Sequence, residues 1–193
     1  ALATLEQALP WRDRFIGVGL DSSELGHPPE KFARVFERCG ALGLHRVAHA
    51  GEEGPPAYIW SALDVLRGEG SDHGVQGAED VAVVQRLLVG RVALTVCPLS
   101  NLKLCVFSDL RQHSLKRLLE AGVAVTLNSD DPAYFGGYVN ENWVQTMAAL
   151  NLSAAQAWRM ARNSFEASFA TAAQREALCA ALDTYVMNFA AAA

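Results

Sequence analysis

The segment His49-Ala50-Gly51-Glu52 sets an imidazole and a carboxylate three residues apart, with a glycine between them that lets the chain turn sharply. Both side chains can then face one cavity. Alone, the H-x-x-E spacing is a weak signal, because His49 also fits a hydrogen-bonded core residue and Glu52 a solvated carboxylate favoured by a helix dipole. The run Asn128-Ser129-Asp130-Asp131-Pro132 puts adjacent carboxylates at the end of an apolar stretch, where burying unpaired charges is costly. Charges there need a metal or a partner. The alternative is an N-cap aspartate followed by proline in a first helical turn. A histidine and a carboxylate from two different strand ends are nitrogen and oxygen donors suited to zinc, so each motif strengthens the other. His73, in Asp72-His73-Gly74, is either structural or an orienting group for a water beside the metal. Asp72 is placed to fix its tautomer if it faces the ring. Pro98-Leu99-Ser100-Asn101 is expected to be a turn that shapes the pocket without direct chemistry.

These residues follow apolar runs that alternate with helical patterns, the signature of βα units and a parallel sheet. Five strands are expected: Phe15–Leu20, Leu44–Ala50, a weak one over Ser71–Val75, Val92–Pro98 and Val123–Ser129. Helices are expected over Glu30–Leu42, Ala57–Leu66, Glu79–Leu88 and Leu110–Glu120, with Gly43, Gly68, Gly90 and Gly122 at their stops. Only helices follow the last strand, with Ser153 and Thr171 as N-caps for Ala154–Phe169 and Ala172–Met187.

Strands apolar on both faces fit an open doubly wound sheet or a closed barrel. Polar groups follow every strand, and only a barrel brings all its C-terminal strand ends to one mouth. The fold class is therefore α/β, a (β/α)8 TIM-type barrel. Such a barrel needs eight strands and about 250 residues. Residues 1–193 are accordingly expected to be a single incomplete catalytic domain supplying about strands 4 to 8, with a helical tail over 151–193. The start at ALATLEQAL, without an initiator methionine, suggests a cut within a longer protein.

With 51% hydrophobic and 19% charged residues, the chain can bury a core. The net charge of −5 and the scattered basic residues argue against a nucleic-acid surface and for a small-molecule partner. No apolar stretch approaches the roughly 18 residues of a membrane span, and no signal-peptide pattern opens the chain, so no membrane role and a cytoplasmic location are expected. Four cysteines without a CxxC pair fit reduced thiols.

In that order and spacing, HAGE, DHG, CPLSN and SDDPAYFGG, spread over Ile16 to Phe169, resemble the adenosine and adenine deaminase family of amidohydrolase barrels. The resemblance implies a zinc cofactor with His49 and Asp130 as metal ligands. It implies Glu52 as the proton donor to purine N1 and His73 as the group that orients and deprotonates the attacking water. Asp131 then hydrogen-bonds purine N7. Members of the family complete the metal site with an H-x-H pair on the first barrel strand, and no H-x-H occurs in this sequence. Those ligands are expected from a missing N-terminal part of the barrel.

The segment Gly19-Leu20-Asp21-Ser22-Ser23-Glu24 is similar to the adenine deaminase branch. Ser22 stands where adenosine deaminases carry a glycine whose backbone meets purine N3, and a bulkier residue there fits ribose poorly. The implied reaction is zinc-dependent hydrolytic deamination of adenine to hypoxanthine and ammonia, in purine salvage. The alternatives are adenosine deamination and a non-catalytic half-barrel binding module, which an upstream H-x-H would exclude. An open-sheet phosphoryl-transfer enzyme holding magnesium on Asp130 and Asp131 would need a glycine-rich phosphate loop, and the sequence contains none.

Overall fold

A computed structural model describes residues 1–192. They form two compact units, Ala1–Thr95 and Val96–Ala193. The five strands run parallel wherever their register is given, and they lie in the sheet in chain order. Each connection carries helix, as parallel neighbours require.

The first unit contains α1 (Leu2–Ala8), β1 (Gly17–Leu20), α2 (Ala33–Ala41), β2 (His45–His49), α3 (Pro56–Trp60), β3 (Gly70–Asp72) and α4 (Val81–Gly90). It ends within β4 (Ala93–Val96). Gly17 pairs with His45, Val47 with Gly70, and Gly70 with Ala93, so the strand ends are in register at His49 and Asp72. Leu5 of α1, Cys39 of α2 and Leu44 before β2 are buried together, with Phe15, Val18 and Val35 packed around them. Burial pushes the Cys39 thiol above its ordinary pKa, against the opposing charge of Arg46. All four cysteines are free thiols.

The expected elements are present with shifted edges, and the shifts have local causes. The third strand is Gly70–Asp72 rather than Ser71–Val75, because His73 and Gly74 both take left-handed backbone angles, φ +61° and +64°, which no strand accommodates. The helix expected over Ala57–Leu66 is α3 followed by a wider π-type turn over Ser61–Val65, closed by Leu66 N–H donating to Ser61 O. Gly43 and Gly122 lie in the left-handed region, as helix stops do. Gly90, by contrast, is the last helical residue of α4, and Arg91 takes the left-handed cap at φ +49°.

The second unit holds α5 (Pro98–Lys103), α6 (Leu115–Glu120), β5 (Ala124–Leu127), α7 (Pro132–Phe135), α8 (Val139–Leu150), α9 (Ala154–Glu166) and α10 (Ala172–Ala192). Pro98–Asn101 is thus the buried first part of a short helix rather than a turn, with proline at the first helical position where its missing N–H is harmless. Asn128 N–H donates to Val96 O at 2.9 Å. Helix α9 lies on β5, where the buried Asn163 side chain donates to Val125 O at 2.8 Å. Asp183 ties α10 to α9 by accepting from Trp158 Nε1 at 2.8 Å and from Arg162 at 2.7 Å. Among the described residues, no helix is long and apolar enough to cross a membrane.

Ser153 caps α9 through a reciprocal pair with Gln156: its hydroxyl accepts from Gln156 N–H, and the Gln156 side chain accepts from Ser153 N–H. Ser153→Ala should lower unfolding free energy by about 1 kcal/mol, read as an earlier urea midpoint at unchanged slope.

Candidate active site

Three side chains at the ends of β2 and β3 come together in the first unit. His49, the last residue of β2, is 22% exposed at its side chain and points Nε2 at Asp21 Oδ1, 3.3 Å away. Its ring meets the ring of His73 edge to face, with centroids 4.8 Å apart. His73 is almost fully enclosed, and its Nδ1 lies 3.1 Å from Glu52 Oε1, itself buried. Glu52 is therefore not a solvated first-turn carboxylate. A proton shared by a buried carboxyl and imidazole can be passed to either side, which is the arrangement general acid–base chemistry needs.

Backbone conformation sets this geometry. Gly51 has φ +80°, and a Cβ there would lie 2.6 Å from Ile59 Cδ1. Gly74 also takes a left-handed angle, and a Cβ on it would fall 2.7 Å from Leu94 Cδ2. The two glycines let the β2 and β3 exit turns approach each other, with Gly74 Cα 3.5 Å from the missing Gly51 Cβ. Asp72 does not fix the His73 tautomer. Its Oδ1 accepts from Thr95 Oγ1 on the neighbouring strand, and Glu52 takes the place beside the ring.

A cavity of about 190 Å³ opens beside His49, walled by Leu20, Asp21, Ser22, Glu24, His27 and Phe32. Ser22 adopts φ +78°, a left-handed angle that is strained for a residue with a Cβ and that concentrates at functional sites. His49, Glu52 and His73 each offer a nitrogen or oxygen donor atom, all within 4.8 Å of one another.

In the second unit, Asp130 and Asp131 follow β5 and are exposed. Asp130 has φ +58°. Asp131 occupies the N-cap position of α7, yet its side chain makes no capping hydrogen bond, so the simple capping explanation of the acid pair does not hold. Asn101 is buried, and its Oδ1 meets His113 Nε2 at 3.0 Å. His113 Nδ1 accepts from Leu115 N–H, which leaves the proton on Nε2.

The family model for adenosine deaminase matches residues 1–185. The chain belongs to the adenosine deaminase family. An adenine deaminase of Cupriavidus metallidurans is 66% identical over 185 residues, covering 96% of this chain and 52% of that protein. The crystal structure of an adenine deaminase from Arthrobacter aurescens superposes with a TM-score of 0.94 at 47% identity, covering 96% of this chain and 57% of that one. An amidohydrolase from Burkholderia ambifaria, solved with bound Zn, shares the fold at a TM-score of 0.89 and 22% identity. The chain spans about half the length of the curated relatives it matches. The parallel five-stranded sheet with its helices is the α/β architecture of this family's barrels.

In this adenosine deaminase family member, the sequence places Asp21 to Glu24 among the polar groups that follow the strands without giving either acid a role, and it does not single out Gln76. Asp21 and Glu24 had a usable signal, since acids directly after a strand end are placed at a barrel mouth. Gln76 had none. Replacing Gly51 with alanine should destabilise the protein by about 1–3 kcal/mol, because a Cβ is strained at that φ whatever the surrounding space. Thermal unfolding of Gly51→Ala beside the parent checks this.

Proposed function

We propose that the chain takes part in zinc-dependent hydrolytic deamination of adenine to hypoxanthine and ammonia, a reaction of purine salvage. The observation that carries this reading is the buried Glu52–His73 contact beside His49. It is supported by relatives named adenine deaminase at 66% and 47% identity.

In this reading His49 and Asp130 are zinc ligands. The donor chemistry fits, for an imidazole whose Nε2 already faces a carboxylate sits where a cation is favoured. A catalytic zinc takes three protein ligands and a water, so further ligands come from an H-x-H outside this sequence. Zinc, when bound, supplies Lewis acidity that makes water a nucleophile at neutral pH. His73 orients the attacking water and takes its proton as the oxygen adds to C6 of the purine. Glu52 protonates N1, which drains electron density from C6 and eases the attack. Returning a proton to the exocyclic nitrogen lets the C6–N bond break and ammonia leave.

Asp131 hydrogen-bonds the N7 side of the base. Ser22, on the cavity wall, presents its backbone to N3. A residue bulkier than glycine at Ser22, on the wall of the cavity beside His49, fits ribose poorly, which favours a bare base over a nucleoside. The partner is therefore a small purine, and nucleic acid and membrane have no part in the reaction. We assign the protein to the cytoplasm.

The test is ammonia release from adenine and from adenosine by the full-length protein, with bound zinc measured in parallel. Adenine should be the faster substrate. Glu52→Gln retains the shape of the buried side chain and should keep zinc bound while cutting turnover by about 100-fold or more. Unchanged turnover in that variant removes Glu52 as proton donor, and a full-length protein inactive on both purines removes the reaction.

A further inference from the structure

Glu24 lies beyond the end of β1 and is only 4% exposed. Its carboxylate accepts from the backbone N–H groups of Gly51 at 2.9 Å, Glu52 at 3.0 Å and Gly54 at 2.8 Å. Successive N–H groups turned to one side make an anion-binding concavity. Here the chain fills it with its own carboxylate. The fit is close, since a Cβ on Gly54 would lie 2.6 Å from Glu24 Oε2.

Gln76 grips the same turn by its carbonyls. Its backbone N–H donates to Gly51 O at 2.9 Å, and its side-chain amide donates to Glu52 O at 3.2 Å. The turn is thus held through its donors by Glu24 and through its acceptors by Gln76. Glu52 sits in the middle of it, with its own carboxylate aimed at His73.

We propose that Glu24 is a positioning residue for the deamination reaction: by binding the N–H groups of the turn over residues 51–54, it holds the Glu52 carboxyl in place against His73. Both its oxygens are engaged by the turn's backbone, so it acts through Glu52 and not on the substrate. This inference rests on the adenine deaminase reading. It differs from a packing role because the cost of losing Glu24 falls on the chemical step and not on substrate binding.

The test is Glu24→Gln in the full-length protein, whose amide turns N–H against the N–H groups of the turn. The expected result is a kcat for ammonia release from adenine lowered by about 100-fold, the size of effect a small misplacement of a reacting group produces. KM for adenine and zinc content should stay as in the parent. In NMR hydrogen exchange, the Gly51, Glu52 and Gly54 amides should be protected in the parent and exchange faster in the variant. An unchanged kcat overturns the proposal, as does a raised KM with kcat retained. Should Glu24→Gln fail to fold, Glu24→Asp carries the same kcat and KM readouts, because it keeps the charge and withdraws it by one methylene. If the parent itself deaminates neither purine, the proposed function fails. Amide exchange still decides the clamp in that case: protection lost in the variant supports it, and three fast-exchanging amides in the parent overturn it.

Discussion

A carboxyl and an imidazole buried side by side, as Glu52 and His73 are, have given up water, and their contact must replace what solvent supplied. Taking one partner away removes a buried hydrogen bond, at a cost of about 1–3 kcal/mol. The pair is therefore sensitive to small displacements, and the surrounding backbone is built to prevent them. Two left-handed turns bring the ends of β2 and β3 together, and glycines at 51 and 74 make that approach sterically possible. Glu24 and Gln76 then occupy the hydrogen-bonding groups of the turn that carries Glu52.

The sheet explains why such a pair can exist at all. In a parallel sheet with strands in chain order, consecutive exit turns are neighbours, so residues far apart in sequence meet without a long loop. His49 and His73 come from adjacent strands whose register pairs His49 with Asp72, which leaves His73 one residue beyond the pairing, beside the His49 ring. Asp72, the in-register residue, turns instead to Thr95 on the next strand. The alternation of a single strand step therefore decides which of two adjacent polar residues faces the site.

Much of this was legible in the amino-acid sequence, because strand-forming runs, helix stops and the HAGE and DHG segments are local signals. The positions of β1, β2, β4 and β5 follow from apolar β-branched stretches. What was not legible depends on distant contacts. The sequence could not say that Asp72 would bond Thr95, that Glu24 would reach the turn after β2, or that Gln76 would close on it from the helical turn after β3. Nor did the proline in Pro98–Asn101 distinguish a turn from a first helical turn, since it suits both. At Gly90 the expected glycine stop gave way to Arg91 because the helix runs one residue further.

In the proposed reaction this pair works on a purine beside a zinc ion. The most direct test is a crystal structure of the full-length protein with zinc and hypoxanthine, collected at the zinc absorption edge. Anomalous density at His49, a Glu52 oxygen within hydrogen-bonding distance of N1, and the Ser22 backbone against N3 are the expected result. Metal density elsewhere, or a purine that leaves Glu52 and His73 untouched, would contradict it.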